Sequence, residues 1–288
     1  MAGVLAIRFD VDSVTCLERG IPPLRQLAHR LGVRFTFFVN MGYSFNWSHN
    51  ARHLLRRRHR GLGEGRSVEP RSSLPTSKKL GWAGIVKTVL VNPRLGDHYK
   101  STFDVLHAEG HELGLHGGTD HVVWQRSLEN LSEDALDRLF RPAFEKFSDR
   151  YGRPAGFASP GFRYNGAVLD LLDREGFVYA SDMSGETPFR PDGRAGKRHA
   201  HFQVPVNVLG RGNVPLIEEG LARGRSHARI VDDVVAGVEA RDFALLYGHP
   251  YVEGVNASLL GDVLRRVMPN YEVVPVVDYL ARWRARHG

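Results

Sequence analysis

Short β-branched or aromatic runs alternate along the chain with longer stretches of amphipathic, helical periodicity. This alternation favours parallel strands joined by crossover helices, in either a wound sheet or a (β/α) barrel. The predicted strands are Val4–Phe9, Arg34–Val39, Glu112–Leu115, Gly156–Ala158, Val178–Ser181, Phe202–Val206, Ala244–Tyr247 and Glu272–Pro275. The predicted helices are Pro22–Leu31, Ser101–Glu109, Ser132–Tyr151, Ala167–Glu175, Ala228–Ala240, Ala257–Val267 and Val277–Arg286.

Several predicted strands lead directly into polar side chains. These are Asp10 and Asp12, His116, Ser159, Asp182 and His249. In a (β/α) barrel the carboxyl ends of the strands surround the active site. The pattern therefore predicts an α/β barrel enzyme, and no internal repeat points to a solenoid or a propeller.

The stretch 42–97 does not follow this alternation. Within residues 51–100 there are 12 Lys and Arg against 3 Asp and Glu, a net charge of +9, whereas the other 238 residues hold 27 against 29. A loop of this length inside a compact domain is either functional or disordered. We predict one catalytic domain over residues 1–288 with a basic and aromatic insertion at 42–97.

The amino-acid composition excludes some classes of protein. The shares of hydrophobic and charged residues, 42% and 25%, are those of a globular protein. One cysteine, Cys16, excludes an internal disulfide and a Cys-rich zinc module, whereas 14 histidines favour metal or proton chemistry. The pI of about 9.7 would suit a nucleic-acid-binding protein, but the basic excess is local and mixed with apolar residues. We therefore expect no nucleic acid partner.

Asp10 and Asp12 flank Val11 at the end of the first predicted strand. Alternation along a strand places both carboxylates on one face. Two like charges so close together are costly unless they share a cation or a proton. A helix cap or an Asx turn would explain a single aspartate here, but it explains the pair less well.

Three histidines, His111, His116 and His121, lie within eleven residues of sequence. A single histidine here would more often be a packed core residue. Two imidazoles and a carboxylate, however, can hold a metal ion and leave positions open for water and substrate. The three histidines beside a Gly-Gly turn therefore favour a metal site.

Three further polar residues are individually weak candidates. Arg163, Asp182 and His249 would also fit, in that order, a surface ion pair, a helix cap and a loop histidine. Their position at or near strand ends is what makes them candidates for the same site. Cys16 is expected to be inert packing.

Five segments in order, RFDVDS, GHELGLHGGTDH, SPGFRYN, SDMSGETPFRP and YGHPYVEG, resemble the five motifs of the NodB-type polysaccharide deacetylases, carbohydrate esterase family 4. Within that family the chain is most similar to the deformylases that act on undecaprenyl-phosphate 4-deoxy-4-formamido-L-arabinose. The resemblance covers nearly the whole chain, including the insertion at 42–97.

The resemblance implies a distorted (β/α) barrel and a divalent metal ion, expected to be Zn²⁺, with Co²⁺, Ni²⁺ or Mn²⁺ as alternatives. It implies that Asp12, His116 and His121 hold the ion. It also implies that Asp10 is the general base for the attacking water and that Arg163 orients Asp10.

The same resemblance implies that His249 is the general acid, which protonates the leaving amine. Asp182 would support the positive charge that His249 carries. Four residues in or beside the motifs are expected to bind the substrate, namely Trp124, Arg190, Tyr251 and Glu253.

The chain departs from the family pattern at two places. The ligand histidines are usually four positions apart, but His116 and His121 are five apart, which places Asp120 at the usual position. Either the Gly117-Gly118 pair absorbs one residue as a bulge, or Asp120 replaces the second histidine. We favour the bulge, because glycine tolerates the dihedral angles it requires. The motif arginine also follows Pro160, where many relatives place it before the proline.

The function that the resemblance implies is removal of an N-formyl or N-acetyl group from an amino sugar linked to a polyprenyl phosphate. Alternatives are deacetylation of a soluble amino sugar or polysaccharide, hydrolysis of a cyclic amide as in allantoinase-like relatives, and a degenerate binding module without activity. The complete set of candidate ligands argues against the last two.

An anionic membrane surface is the other expected partner. The local charge, Trp47, Trp82 and the apolar run Ala83–Val91 predict that residues 43–95 rest on such a surface. The run Gly81–Leu90 is too short to span a bilayer. The segment before Asp10 lacks a basic leader, so we expect a cytoplasmic protein, peripheral on the inner face of the cytoplasmic membrane.

Overall fold

The computed structural model describes residues 2–45, 74–75, 84, 87–193 and 196–287. Most of the predicted insertion, including Trp47 and Trp82, lies outside the described residues. The division into one domain with an inserted segment therefore stays a prediction.

The described part of the chain contains one parallel sheet, and each of the eight predicted strands belongs to it. The strands differ from the predictions by a few residues at their ends, and β5 and β6 are much shorter than predicted. Their bounds are β1 Gly3–Val11, β2 Thr36–Val39, β3 Glu112–His116, β4 Gly156–Ala158, β5 Tyr179–Ala180, β6 Phe202–Gln203, β7 Phe243–Gly248 and β8 Tyr271–Val274.

The sheet curls into a distorted barrel. The strands lie in the order β6-β5-β4-β3-β2-β1-β7, and β8 pairs with the first half of β1. A parallel bridge between Val208 and Leu246 joins the chain after β6 to β7, which brings the two ends of this row together. The predicted (β/α) barrel is confirmed, and the very short strands β4, β5 and β6 account for its irregular wall.

Helices cover the outside of the barrel, and the seven predicted ones are present. Among the described residues, three further helices were not predicted; each has at most seven residues and therefore shows little periodicity. The helices are α1 Ile21–Leu31, α2 Leu95–His98, α3 Lys100–Ala108, α4 His121–Ser127, α5 Glu133–Tyr151, α6 Gly166–Arg174, α7 Leu216–Ala222, α8 His227–Glu239, α9 Ala257–Val267 and α10 Val276–His287. Among the described helices, none has both the length and the apolar composition needed to cross a bilayer.

Strand β1 shows how the barrel positions the site. Its residues Leu5, Ile7 and Phe9 belong to the apolar core between the sheet and the helices, whereas Val4 and Ala6 belong to a second cluster inside the barrel. Because side chains alternate along a strand, Arg8, Asp10 and Asp12 continue the inner face. Three charged residues therefore extend from the buried interior of the barrel to its carboxyl edge.

Two turns that follow β1 and β7 touch each other. The turn Cys16–Gly20 follows β1, and the turn Pro250–Gly254 follows β7. A Cβ atom on Gly254 would lie 2.2 Å from the carbonyl oxygen of Gly20, so only glycine allows this approach. The contact holds the segment that carries His249 against the segment that follows Asp12.

Candidate active site

The predicted site residues of β1, β3 and β7 meet at the carboxyl edge of the barrel. Asp12 follows β1, His116 is the last residue of β3, and His249 follows β7. Strands β1 and β7 are neighbours, and only β2 separates β1 from β3. Because all these strands are parallel, their carboxyl ends lie at one edge of the sheet.

Asp12, His116 and His121 form a compact group. Asp12 Oδ1 lies 2.9 Å from His116 Nε2 and 3.3 Å from His121 Nε2. One ligand atom from each residue lies within 4.8 Å of the other two, which is the spacing of a metal-binding group. Gly117, between the histidines, has φ of +66°, the left-handed conformation that favours glycine and that a bulge requires.

The hydrogen bonding of His116 shows which of its nitrogens can bind a cation. Nδ1 lies 2.9 Å from the carbonyl oxygen of Ala158, which can only accept, so Nδ1 carries a proton and, in the neutral ring, Nε2 carries the lone pair. Nε2 faces Asp12 Oδ1, a buried oxygen without a hydrogen bond donor. Two electron-rich atoms this close need a shared proton or a metal ion, and the donor set fits a divalent ion.

Asp120, the alternative third ligand, has a different contact. Its carboxylate accepts a hydrogen bond of 2.9 Å from the backbone N–H of Val123 and so caps the N-terminus of α4. His121, the first residue of α4, is the one that faces Asp12. This geometry supports the bulge interpretation of the histidine spacing.

The electrostatics of the group favour an ionised Asp12. Burial opposes this ionisation, but His121, His116 and His249 together hold the pKa of Asp12 well below its usual range. Burial also opposes protonation of His116, yet the neighbouring Asp10 and Asp12 raise its pKa. The site thus concentrates negative charge, which a bound cation would stabilise.

His249 approaches the second carboxylate oxygen of Asp12, whereas His116 and His121 share the first. Its Nε2 is 3.4 Å from Asp12 Oδ2 and 3.0 Å from the hydroxyl of Tyr247. Its ring stacks on Tyr251 with centroids 4.8 Å apart, and its backbone N–H donates to Glu253. Burial works against the imidazolium, but Asp12 raises the pKa of His249.

The predicted role of Asp182 is wrong, because a different carboxylate accompanies His249. Among the described residues, it is Glu218 that approaches His249 Nδ1, at 3.9 Å. Asp182 instead accepts a hydrogen bond of 2.6 Å from the backbone N–H of Ser159 and thereby ties the loop after β5 to the end of β4. Burial raises the pKa of Asp182 to about 6.

The predicted role of Arg163 is also wrong. Its guanidinium pairs with Glu129 at 3.0 Å, and both side chains are more than half exposed. Asp10 is buried and receives its hydrogen bond from Arg8, at 3.2 Å. Arg8, a charged residue inside the mostly apolar first strand, was not among the predicted site residues.

The four predicted substrate-binding residues have different surroundings. Trp124 is fully buried against Phe157 and cannot contact a substrate, so this prediction is wrong. Glu253 is also buried, where it accepts the N–H of His249, and burial raises its pKa to about 8. Tyr251 stays a candidate, because it stacks on His249.

Arg190, the fourth, lies at the other end of the barrel. It donates to the carbonyl oxygen of Ala200 and lies 4.6 Å from the centre of the Phe202 ring. Both residues stand at the amino end of β6, whereas the site stands at the carboxyl edge. The placement of Arg190 in the substrate site is therefore wrong.

Asp173, His199 and His201 form a second group with metal-binding spacing. The imidazoles lie 2.8 and 2.6 Å from the two oxygens of Asp173. The same carboxylate also accepts the backbone N–H groups of Ala200 and His201. Because these hydrogen bonds saturate the carboxylate, we assign the group to holding the chain before β6 against α6.

Comparisons with known proteins agree with this geometry. No family model matches the sequence. The chain is 24% identical over 282 residues, which are 96% of this chain and 85% of the other, to a curated protein of Shewanella sediminis named "Probable 4-deoxy-4-formamido-L-arabinose-phosphoundecaprenol deformylase ArnD". A solved structure from Mycobacterium smegmatis, described as a "putative polysaccharide deacetylase", superposes with a TM-score of 0.64 at 17% identity, over 99% of this chain and 92% of that one. The chain has the polysaccharide deacetylase fold.

The resemblance predicted from the five motifs is thereby confirmed. The polysaccharide deacetylase fold does not by itself determine the reaction. The structure of PuuE allantoinase superposes with a TM-score of 0.58 at 13% identity, over 99% of this chain and 91% of that one. The activity therefore has to be argued from the side chains at the carboxyl edge.

Proposed function

We propose that this chain is a metal-dependent hydrolase that removes an N-formyl or N-acetyl group from an amino sugar. The observation that carries the proposal is the close approach of His116 Nε2 to Asp12 Oδ1, at 2.9 Å, with His121 Nε2 beside them at 3.3 Å from the same oxygen. Zn²⁺ suits this nitrogen and oxygen donor set, and Co²⁺, Ni²⁺ or Mn²⁺ are alternatives.

A divalent ion bound by Asp12, His116 and His121 would polarise the amide carbonyl and lower the pKa of water. Asp10, next to this group on the inner face of β1, takes the proton from the attacking water. One of its oxygens, Oδ2, accepts from Arg8, while the buried Oδ1 has no hydrogen bond partner and can act as the base.

His249 donates a proton to the leaving nitrogen. Its Nε2 lies 3.4 Å from Asp12 Oδ2, the carboxylate oxygen that His116 and His121 do not share. The neighbouring carboxylate of Glu218 stabilises the imidazolium that must form before the proton is given away. Acid–base catalysis of this kind contributes roughly 10²–10⁴-fold in rate.

The leaving group provides a prediction for His249. We expect His249→Ala to retain the metal ion and to lose roughly 10²-fold or more in turnover of an N-acyl amide, because an amine leaves only after protonation. An activated aryl ester needs no such protonation, so its hydrolysis should fall much less. Equal losses for amide and ester would contradict the role of general acid.

The proposed substrate is an N-formyl amino sugar linked to a polyprenyl phosphate. This choice is supported by the name of the Shewanella sediminis relative, a formamido-arabinose-phosphoundecaprenol deformylase. A soluble amino sugar or a polysaccharide is the alternative within the same chemistry. A cyclic amide, by contrast, releases no separate acid fragment on hydrolysis, so its product would be a single ring-opened molecule.

One experiment tests the reaction and the substrate class together. The purified protein is loaded with Zn²⁺ and incubated separately with polyprenyl-phosphate-linked and soluble N-formyl and N-acetyl amino sugars, and the products are measured by mass spectrometry. We expect loss of formate from the lipid-linked compound. Turnover of the soluble compounds alone would favour the alternative, and turnover of none, with the ion bound, would exclude the proposed activity.

We also propose that residues 43–95 bring the site to an anionic membrane surface, on the cytoplasmic face. The described ends of this segment lie beside the catalytic group. The backbone of Tyr43 forms a parallel β-bridge with Asp120, next to His121, and Leu95 N–H donates to the carbonyl oxygen of Gly42. Leu90 and Val91, two adjacent apolar side chains, are exposed by 72% and 62%, which suits an interface.

Liposome co-sedimentation tests the membrane proposal. Each basic residue near an anionic leaflet contributes about 1 kcal/mol, so replacing Arg56, Arg57 and Arg58 by glutamate should weaken binding to anionic vesicles by roughly 10²-fold. The matched control makes the same charge change on the outer helices α8 and α9, with Arg229, Arg265 and Arg266 replaced by glutamate. Equal weakening by both variants, or no binding by the wild type, would contradict the proposal.

A further inference from the structure

We propose that Arg8 positions the general base Asp10, and that Phe162 in the loop after β4 completes the enclosure that holds Arg8 in place. This inference rests on the proposed function. It assigns to a strand residue the orienting role that the motif resemblance had placed on Arg163, and it gives the loop a different task.

The first observation is the burial of Arg8. Its side chain has no exposed surface, and it shares the inner face of β1 with Asp10. Nη2 donates to Asp10 Oδ2 at 3.2 Å, and Nη1 donates to the backbone carbonyl of Ser181 after β5. A buried cation is costly unless it is paired and hydrogen-bonded, so these contacts lock its position.

The second observation is an aromatic enclosure around the guanidinium. The centres of three rings lie within 5.3 Å of its central carbon: Phe38 at 5.3 Å, Phe162 at 4.9 Å and Tyr247 at 4.9 Å. Ring faces attract a cation electrostatically and also exclude water from it. The rings come from β2, the loop after β4 and β7, so three separate parts of the barrel wall define where the guanidinium lies.

The third observation is the backbone of the loop after β4. Gly161 and Phe162 have φ of +65° and +56°, and a positive φ is uncommon for a bulky residue such as phenylalanine. This turn directs the Phe162 ring to Arg8, while the next side chain, Arg163, reaches the exposed Glu129. Strain of this kind persists where the surrounding structure requires it, often at functional sites.

Together these contacts define the geometry of the base. Arg8 holds Asp10 Oδ2, which leaves Oδ1 as the carboxylate oxygen without a hydrogen bond partner. A rigid guanidinium therefore selects both the rotamer of Asp10 and the oxygen that receives the proton. Misplacement of a catalytic group by about 1 Å can cost roughly 10²-fold in rate.

The kinetic test compares Arg8→Met, Arg8→Lys and the control Arg163→Ala in the zinc-loaded protein. For Arg8→Met we expect the same metal content and nearly the same KM as wild type, with kcat lower by roughly 10²-fold. Arg8→Lys keeps the charge but not the planar fork, so kcat should recover in part. Arg163→Ala should stay within about twofold of wild type, because its ion pair is exposed.

Two further measurements test whether Arg8 positions Asp10. In Arg8→Ala, added guanidinium ion should restore part of kcat by entering the vacated enclosure, whereas methylammonium, which lacks the fork, should restore less. Crystal structures of wild type and Arg8→Met should show the Asp10 carboxylate rotated in the variant. This second readout needs no substrate, so it holds even if the N-acyl amino sugar proves wrong.

The proposal would be overturned by unchanged kcat in Arg8→Met, by an unmoved Asp10 carboxylate in that variant, or by a loss in Arg163→Ala as large as that in Arg8→Met. If Arg8→Met fails to fold, Arg8→Lys is decisive, since it preserves the buried charge. A reduced kcat in Arg8→Lys with normal metal content then supports positioning, and wild-type kcat refutes it.

Discussion

Replacing His116 or His121 by alanine is expected to remove the bound metal ion and to reduce turnover to the background rate. Each substitution deletes an imidazole whose Nε2 lies within 3.3 Å of Asp12 Oδ1, and two donors remain where three are needed. Asp12→Ala should have the same effect. Elemental analysis of the purified variants, together with the amide hydrolysis assay, measures both losses.

Asp120→Ala is the matched control for these variants. Asp120 is adjacent to His121 in sequence, but its carboxylate caps α4. We expect the variant to keep its metal ion and most of its activity, and to lose about 1 kcal/mol of stability with the cap. Loss of metal in Asp120→Ala with retention in His121→Ala would reverse the ligand assignment.

The sequence was sufficient to predict the barrel because its strands are distinct. Parallel strands covered by helices require apolar side chains. In β1 the side chains that face the helices, Leu5, Ile7 and Phe9, are all apolar, and all four residues of β2 are buried. The polar residues at the ends of β1, β3 and β7 then had to meet at one edge. Neither inference depends on knowing how any loop folds.

The short elements escaped prediction for a related reason. Helix α4 has seven residues, and its start depends on the Asp120 cap rather than on an apolar stripe. Strands β5 and β6 have two residues each, so alternation cannot determine their ends. Tertiary contacts determine these elements, and such contacts leave little periodic signal in the sequence.

Side-chain roles were harder to predict than strand ends, because the backbone conformation of the loops and short helices determines where each side chain points. Arg163 occupies the motif position, but the left-handed backbone at Phe162 sends it toward Glu129. Trp124 lies on α4, whose buried face turns it into the core. In both cases the residue type suits the predicted role, but the backbone directs the side chain away from the site.

Two residues near the site, Arg8 and Glu218, were not predicted, and the sequence contains a weak indication of the first. Arg8 is a charge within an otherwise apolar strand, two positions before Asp10, and alternation places both on the same face. Glu218, at His249, lies in a segment that was not predicted to be helical. A charged residue on the buried face of a strand, such as Arg8, must find a partner, and Asp10 was the nearest one available.

Asp10→Asn is expected to keep the metal ion and to lower kcat by roughly 10²–10⁴-fold, because an amide cannot accept the proton of the attacking water. Asparagine has nearly the same size as aspartate, and its carbonyl oxygen can still accept from Arg8, so the fold should be preserved. Elemental analysis and kcat measured on the same preparation separate the possible outcomes. Asp10 shares the inner face of β1 with Asp12, so loss of metal together with activity would make Asp10 a ligand rather than a base. Near-normal activity would mean that another group takes the proton, and the buried Oδ1 of Asp10 would then have no part in the reaction.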